Sequence, residues 1–289
     1  MLKPNSNKHG KTDQMDTKSI LITGCSSGIG LCTAQRLKQD GYRVFATARK
    51  EQDVEQLKSQ GFESFLLDYR DSETIQSALQ QILLATGGTL YALFNNGAYG
   101  QPGAVEDLSR EVLKDQFETN FFGWHELTNL VIPIMRQQGY GRIIQNSSVL
   151  GIVAMPMRGA YNASKYAIEG LSDTLRLELH GTNIYVSMVE PGPITSRFRA
   201  NAALYFKKNI NKQDSFHKQR YQQLADKLET EGPVVPFTLP AEAVYKKVLQ
   251  ILNAKKPKAH YYVTFPTYLF GFLRRVLSTK NLDWLLRKV

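Results

Sequence analysis

Cysteine is scarce in this sequence, and long apolar runs are missing from it. The chain of 289 residues contains two cysteines, Cys25 and Cys32, with no CxxC pair and no Cys/His cluster. This excludes a disulfide framework and gives no indication of a zinc site, so we expect reduced thiols and no metal cofactor. No apolar run is long enough to span a bilayer, and the first residues, MLKPNSNKHGKTDQMDTK, are too polar for a secretory signal. We therefore expect a cytoplasmic protein.

Acidic residues are outnumbered by basic ones, which gives a formal net charge of +10. Lysine and arginine are scattered along the chain, and they form no basic stripe interleaved with aromatics of the kind that binds nucleic acid. We therefore expect no nucleic-acid partner and attribute most of the excess charge to solvated surface.

The C-terminal segment, residues 261–289, is the local exception. It interleaves aromatic residues and leucines with five cations against the single acid Asp283; the cations are Arg274, Arg275, Lys280, Arg287 and Lys288. This composition fits a helix lying on an anionic membrane, which would make the protein membrane-peripheral. It also fits a helix that covers a substrate mouth or docks on a second subunit, and we favour these packing roles.

Apolar runs and helical patterns alternate along the chain. The runs predict strands at 19–23, 43–48, 64–67, 92–95, 142–146 and 184–189, and the patterns predict helices at 28–40, 54–59, 72–85, 110–137 and 161–180. Such alternation predicts an α/β fold with a doubly wound parallel sheet of the Rossmann type, whose ligands bind at the C-terminal ends of the strands. We expect a disordered leader at 1–16 and one domain over 17–260. Residues 197–238 form its helical substrate lid, and 261–289 belong to the same domain.

The turn after the first strand reads TGCSSGIG, with Gly24, Gly28 and Gly30. Glycines at this position let the backbone approach a pyrophosphate, while the N-terminus of the next helix offers free N–H groups to the anion. A glycine triplet alone is weak evidence, since tight turns need glycine anyway. Its position at the first strand–helix junction of a βαβ series favours a dinucleotide site.

The second strand ends in ATARK, which places Arg49 and Lys50 where an NAD-specific dehydrogenase usually carries an acid. A carboxylate would repel a 2'-phosphate, whereas a guanidinium binds it with charge-assisted hydrogen bonds. The sequence therefore predicts NADP(H) as cofactor. The alternative is an ordinary solvated arginine.

Tyr161 is the only one of the 14 tyrosines that is followed by a lysine, Lys165, at position i+4. Residues with this spacing share one helical face. A nearby ammonium lowers the pKa of a phenol, which is about 10 in peptides, and so makes proton exchange with a carbonyl or alcohol oxygen easier. Surface packing is the ordinary alternative. Ser148, at the end of the fifth strand, and Asn120, inside a predicted helix where a short polar side chain needs a partner, support the catalytic interpretation.

Five motifs, TGCSSGIG, TNFFG, NSSVLG, YNASK and PGPI, resemble in this order the single-domain short-chain dehydrogenase/reductase family over residues 17–196. Within it, the chain is similar to bacterial NADP-dependent reductases of medium-chain and long-chain aldehydes, and to hydroxysteroid and retinol dehydrogenases. The resemblance implies that Tyr161 is the general acid/base and that Ser148 polarises the carbonyl. It also implies that Lys165 lowers the pKa of the tyrosine and holds the nicotinamide ribose, while Asn120 holds a water that links Lys165 to solvent.

The resemblance also implies the residues that contact the cofactor. Asp68 would contact the adenine, and Ile194 with Thr195 or Ser196, of which Ser196 aligns better, would bind the carboxamide. The family's NNAG appears here as Asn95, Asn96, Gly97 and Ala98, a departure that would shift the contacts to the adenosine ribose. The full predicted cofactor set is Gly24, Ser26, Ser27, Gly28, Ile29, Gly30, Arg49, Asp68, Asn95, Gly97, Tyr161, Lys165, Pro191, Gly192, Ile194 and Ser196.

We therefore expect an NADPH-dependent aldehyde or carbonyl reductase that interconverts a hydrophobic carbonyl compound and its alcohol. Apolar residues at 154–157 and in the lid suit such a substrate, although the lid residues also fit simple packing; they are Leu204, Tyr205, Phe206, Phe216 and Tyr221. A hydroxysteroid or retinol dehydrogenase and a non-catalytic NADPH-sensing module are the alternatives. The resemblance suggests a homodimer or homotetramer formed through the helices that contain Asn120 and Tyr161.

Overall fold

The computed structural model describes residues 18–230, 232 and 234–288, so the predicted leader at 1–16 lies outside the described residues. The strands are β1 Ser19–Ile22, β2 Arg43–Ala48, β3 Glu63–Leu66, β4 Ala92–Asn95, β5 Gly141–Asn146, β6 Ile184–Glu190 and β7 His260–Tyr262. The helices are α1 Gly28–Gln39, α2 Glu51–Ser59, α3 Ser72–Thr86, α4 Arg110–Phe117, α5 Gly123–Gln138, α6 Gly159–Glu178, α7 Phe198–Asn209, α8 Lys218–Glu229, α9 Glu242–Asn253, α10 Phe265–Val276 and α11 Thr279–Leu286.

The seven strands form one parallel sheet in the order β3-β2-β1-β4-β5-β6-β7. Ile20, Leu21 and Ile22 of the interior strand β1 are fully buried, because helices cover both faces of a parallel sheet. One face packs on α1, α2 and α9, and the other on α3, α5 and α6. The predicted doubly wound α/β fold is confirmed.

Several elements differ from the prediction, and one of them is the unpredicted helix α9, Glu242–Asn253. The helix predicted at 110–137 is interrupted by a π-helical turn, Glu118–Phe122, which contains the buried Asn120. β7 was not predicted as a strand, because it is three residues long and half-buried, and alternation cannot be read over so short a stretch. Within the described residues, no helix is both long and apolar enough to cross a membrane.

Gly123, where α5 begins, allows that helix to approach the backbone of Tyr69. A β-carbon at position 123 would lie 2.8 Å from Tyr69 Cα and even closer to the Tyr69 carbonyl. Gly123→Ala is therefore expected to lower the free energy of unfolding by about 1–3 kcal/mol, measured by urea denaturation. Gly170→Ala is the control, since no atom outside the neighbouring backbone of its own helix lies within 4 Å of its added carbon, and it should stabilise α6 by about 0.5–1 kcal/mol. Equal stabilities of the two variants would contradict the predicted close approach.

Candidate functional site

The candidate site lies at the C-terminal ends of β1, β4, β5 and β6. Ser148 follows β5 and begins a 3-10 turn, Val149–Gly151, with its hydroxyl accepting from the Leu150 N–H at 3.1 Å. Tyr161 and Lys165 lie on the first turns of α6, and both are buried. The structure thus brings Ser148, Tyr161 and Lys165 to one place, although their catalytic roles stay predictions.

Lys165 is held by protein groups on several sides. Its Nζ donates to the Asn146 carbonyl at 2.7 Å and lies 4.3 Å from the ring centroid of Trp124 and 5.6 Å from that of Tyr161. Burial lowers the pKa of Lys165 to about 7, while the Glu169 carboxylate acts in the opposite direction. The Lys165 side chain therefore changes between its charged ammonium form and its neutral amine form near neutral pH.

Burial raises the pKa of Tyr161 to about 12, and the neighbouring Ser148 hydroxyl and the Arg158 charge only partly oppose this rise. The pKa of Tyr161 is thus above its ordinary value because desolvation outweighs these two groups, and the predicted lowering of this pKa by Lys165 stays a prediction. At neutral pH Tyr161 therefore keeps its proton.

The Asn120 side chain is fully engaged by protein. Its Oδ1 accepts from the Tyr99 N–H at 3.2 Å, and its Nδ2 donates to the Tyr99 carbonyl at 2.9 Å and to Ser164 Oγ at 3.3 Å. The side chain thus ties the Tyr99 loop to α6. The water predicted to link Asn120 to Lys165 stays a prediction.

The glycine-rich turn is closely packed against the segment after β4. Gly24 and Gly28 have positive φ, at 68° and 59°, which favours glycine. A β-carbon on Gly24 would lie 2.6 Å from Gly97 Cα, and one on Gly30 would lie 2.7 Å from Asn96 Nδ2. This turn leads into α1, so its backbone can approach a pyrophosphate as predicted. Ser26 is exposed, while Ser27 and Ile29 are half-buried at the start of the helix.

The exchanged order of Gly97 and Ala98 has a packing reason. A β-carbon at position 97 would lie 3.3 Å from Tyr69 Cε2, and the Tyr69 hydroxyl bonds to Asn95 Oδ1 at 2.6 Å and to Thr23 Oγ1 at 2.8 Å. The ring is therefore fixed beside the glycine. An alanine at position 97 would force one of the two to shift.

Asn95 does not present its side chain to the cofactor groove. The side chain is fully buried, with Nδ2 donating to Thr128 Oγ1 at 3.0 Å and to Gln145 Oε1 at 2.9 Å. The prediction that Asn95 contacts the cofactor is therefore corrected: its side chain is engaged inside the core, and only its backbone is left to contact a cofactor. Asn96, which was not predicted, bonds to the Thr23 carbonyl and to Asn146 across the ends of β1 and β5.

Arg49 lies directly after β2 and is exposed. Its guanidinium donates to the Tyr205 hydroxyl of α7 at 3.3 Å, and the Tyr205 ring stacks on Tyr99 with centroids 4.0 Å apart. The lid helix is thus joined to the residue predicted to bind a 2'-phosphate. Asp68 is half-buried after β3 and accepts from the Arg70 N–H at 3.0 Å, and its predicted contact with adenine stays a prediction.

The PGPI turn connects β6 to the lid. The Pro191 carbonyl accepts from the Val149 N–H at 2.9 Å, and Gly192 lies against Thr264 and Thr267. The Thr195 N–H donates to the Leu239 carbonyl, whereas Ser196 Cβ would lie 3.1 Å from a β-carbon on Gly28. This favours Ser196 over Thr195 beside the glycine-rich turn. Ile194 is half-buried in the same turn.

Residues 197–238, the predicted lid, contain α7 and α8. Phe198 lies edge-on to Tyr161 with ring centroids 5.3 Å apart. Phe206 and Tyr221 are buried beneath the helices, and the Tyr221 hydroxyl accepts from the Ala104 N–H at 2.9 Å. These two side chains hold the lid on the body of the protein, so for them the structure agrees with the alternative of simple packing. Leu204 and Phe216 point to solvent with exposed fractions of 66% and 94%.

The C-terminal helices cover the opposite side of the site. Phe270 of α10, with Leu282 and Leu286 of α11, packs in one buried cluster with Tyr161 and the apolar residues of the loop that follows Ser148; these loop residues are Val149, Leu150 and Val153. Half-buried Met155 joins the same cluster, and Met157 packs under the lid. The favoured packing role of the C-terminal segment agrees with this arrangement.

A buried acidic cluster behind Ser148 was missed. Ser147 donates to Glu169, and His260 Nδ1 lies 2.6 Å from Glu190 Oε1 and 3.9 Å from Glu169 Oε2. Glu190 is fully buried, and burial raises the pKa of Glu169 to about 7. The only signal in the sequence was a glutamate at i+4 after Lys165. His260 and Glu190 come from distant parts of the chain.

Glu169→Gln should change how stability depends on pH. Because the pKa of Glu169 is raised from 4.5 to about 7, its stabilising neutral form is fully present below about pH 4.5 and is lost as the pH rises through about 7. Glutamine stays neutral, so we expect wild type and variant to have equal Tm values near pH 5. Near pH 8 the variant should have the higher Tm, and its free energy of unfolding should exceed that of wild type by at most about 3 kcal/mol. The control is Glu178→Gln, at the exposed end of α6. A gain that is the same at both pH values would contradict the predicted titration.

Comparison with known proteins places the chain in a family. The family model described as "short chain dehydrogenase" matches residues 18–204. The chain therefore belongs to the short-chain dehydrogenase/reductase family. It is therefore an oxidoreductase whose fold binds a nicotinamide cofactor. It is 42% identical over 277 residues to YbbO, an oxidoreductase of Escherichia coli K12, with 96% of each chain covered.

Two further comparisons extend this result. The chain is 34% identical over 274 residues to a 3-ketodihydrosphingosine reductase of Bacteroides thetaiotaomicron, with 94% of each chain covered. The crystal structure of a short-chain dehydrogenase from Streptomyces avermitilis matches with a TM-score of 0.73 and 26% identity, covering 94% of this chain and 95% of that one. Both comparisons extend beyond the region of the five motifs.

Proposed function

We propose that the protein is an NADPH-dependent reductase of hydrophobic carbonyl compounds. The observation that carries the cofactor preference is Arg49, an exposed guanidinium at the end of β2 where an acid would favour NAD. The glycine-rich turn fits a dinucleotide, because its tight backbone leads into the N-terminus of α1 and can approach a pyrophosphate. β-carbons on Gly24 and Gly30 would collide with neighbouring atoms, so this tight turn requires glycine at both positions. When bound there, the cofactor supplies a hydride to the carbonyl carbon.

The chain's own residues supply the proton and the position of the substrate. Tyr161, which is protonated at neutral pH because burial raises its pKa to about 12, donates its proton to the oxygen that gains negative charge. Ser148 lies beside Tyr161 and hydrogen-bonds the same oxygen. Lys165, with a pKa of about 7, lies close enough to stabilise the phenolate that is left and to help return its proton.

The surroundings of Tyr161 favour an apolar substrate. Phe198 lies against its ring, and the cluster that includes Val149, Leu150 and Phe270 encloses its other side. Such walls bind hydrocarbon and offer few partners to a sugar or an acid. The similarity to a reductase of a sphingoid ketone supports the same substrate class.

The test is NADPH oxidation by purified protein against decanal, aromatic ketones, retinal and steroid ketones. We expect turnover of decanal or another long-chain carbonyl, and slower turnover with NADH. Turnover confined to steroids or retinoids would instead support the hydroxysteroid or retinol dehydrogenase alternative. Tight NADPH binding without turnover of any compound would support a sensing module.

We also infer self-association through the outer faces of α5 and α6. Phe121, His125, Leu171 and Leu175 line one shallow groove on this surface, and Phe122 and Leu171 are more than one-third exposed. This supports the homodimer or homotetramer implied by the family resemblance. Analytical ultracentrifugation of wild type and Leu171→Glu tests it, with a shift of the variant toward monomer as the expected result.

A further inference from the structure

Helix α10 carries apolar side chains on two opposite sides. Its inner side buries Thr267, Phe270 and Gly271. Its outer side exposes five large side chains, which recur at intervals of three and four residues and therefore share one face. Their exposed fractions are Phe265 55%, Tyr268 52%, Leu269 37%, Phe272 61% and Val276 56%. We call these five residues the α10 face.

The apolar surface continues beyond α10. The ring of Phe237 contacts that of Phe265 with centroids 4.8 Å apart, and Phe237 is itself 56% exposed. On α11, Leu282 and Leu286 are buried while Trp284 is 57% exposed. An exposed apolar surface of this size, which Phe237 extends beyond α10, marks an interaction site.

Basic side chains lie beside parts of this surface. Lys247 Nζ lies 3.5 Å from the Tyr268 hydroxyl of the α10 face, whereas Arg274 turns inward over the Tyr166 ring of α6. The residues after Phe272 include five basic side chains and one acid; they are Arg274, Arg275, Lys280, Arg287, Lys288 and Asp283. All six are exposed, and Lys288 Nζ lies 3.5 Å from the ring centroid of Trp284. Aromatic side chains beside cations suit the boundary between lipid headgroups and acyl chains.

We propose that the α10 face docks on an anionic lipid bilayer, with α10 lying in the plane of the membrane surface. The net positive charge of the exposed residues after Phe272 favours a bilayer over a second copy of the chain as the partner of the α10 face. A two-fold contact would set the same patch against itself and bring like charges together, whereas anionic headgroups attract each cation.

The inner sides of the same helices explain what docking would achieve. Phe270 and Leu282 pack in the cluster that contains Tyr161 and Leu150, so the docked helices separate the candidate site from the bilayer by a single layer. A hydrophobic carbonyl compound dissolved in lipid would then reach the site without crossing water. This use of the surface depends on the proposed function, but the docking itself does not.

Vesicle co-sedimentation of the full chain tests the docking without any turnover. We expect at least about tenfold more protein bound to vesicles containing about one-third phosphatidylglycerol than to vesicles of phosphatidylcholine alone. Binding should fall when salt is raised from about 0.1 M to about 1 M. Leu269→Gln/Phe272→Gln should abolish binding to the anionic vesicles.

The matched control is Leu84→Gln/Leu113→Gln, which removes two exposed leucines, 78% and 39% exposed, from α3 and α4. It should bind vesicles like wild type. Circular dichroism and unchanged NADPH binding of both double variants would show that they are folded. Wild-type protein that stays in the supernatant, or equal binding by both double variants, would overturn the proposal. A dimer that is lost only in Leu269→Gln/Phe272→Gln would identify a second copy as the occupant.

Discussion

Tyr161→Phe is expected to lower kcat for carbonyl reduction by about three orders of magnitude, because it removes the proposed proton donor and leaves the ring in place. The ring packs edge-on against Phe198 and within a buried cluster, so phenylalanine keeps these contacts. NADPH affinity should change much less than kcat. Steady-state kinetics with a long-chain aldehyde, together with fluorescence titration of NADPH, separates the two quantities.

Tyr166→Phe is the matched control for this substitution. Tyr166 lies on the same helix, and its hydroxyl donates to the Ile152 carbonyl at 2.8 Å, so its loss should cost about 1 kcal/mol of stability and leave kcat nearly unchanged. If Tyr161→Phe reduced the carbonyl as fast as Tyr166→Phe does, Tyr161 would not be the proton donor. The proposed mechanism would then have to be abandoned.

Arg49→Gln is expected to lower kcat/KM for NADPH by about 100-fold, while kcat/KM for NADH changes by less than about threefold. The loss corresponds to about 2–3 kcal/mol, the strength of charge-assisted hydrogen bonds to a phosphate. NADH lacks the 2'-phosphate and so does not miss the guanidinium. Kinetics with both cofactors at one substrate concentration gives the ratio directly.

Lys246→Gln controls for the general effect of removing a positive charge, since Lys246 lies exposed on α9. It should leave the ratio between the two cofactors unchanged. A parallel fall of kcat/KM with NADPH and NADH in Arg49→Gln would indicate damage to the fold or the lid. In that case the assignment of NADP(H) would lose its support.

The periodicity of the sequence was sufficient to predict six of the seven strands of the sheet. β1, β2, β4, β5 and β6 are runs of apolar residues between helices, and buried parallel strands require such runs. β7 was missed because His260 and the two tyrosines after it show no apolar run, and pairing with Met188 and Glu190 of β6 makes them a strand. The helix through Asn120 was predicted, but its π-helical turn depends on contacts with Tyr99 and Ser164 that sequence spacing does not show.

The sequence predicted which residues form the site better than it predicted their pKa values and hydrogen-bond partners. The spacing of Tyr161 and Lys165 placed both on one face of α6, but the direction of the tyrosine pKa shift depends on burial, which helical spacing does not reveal. Glu169 escaped notice because its partners, Glu190 and His260, come from two other strands. Asn95 appeared to be a cofactor residue until the structure showed its amide bonded inside the core.

The contact from Arg49 through Tyr205 to Tyr99 joins three distant parts of the chain with one hydroxyl and one stacked ring. With Arg49 in its proposed role, coenzyme choice and the position of the helix Phe198–Asn209 are therefore coupled. A redesign of the proposed dinucleotide preference would then have to treat that helix as part of the coenzyme pocket, and we expect substitutions of Tyr205 to change the ratio of activity with NADPH to activity with NADH.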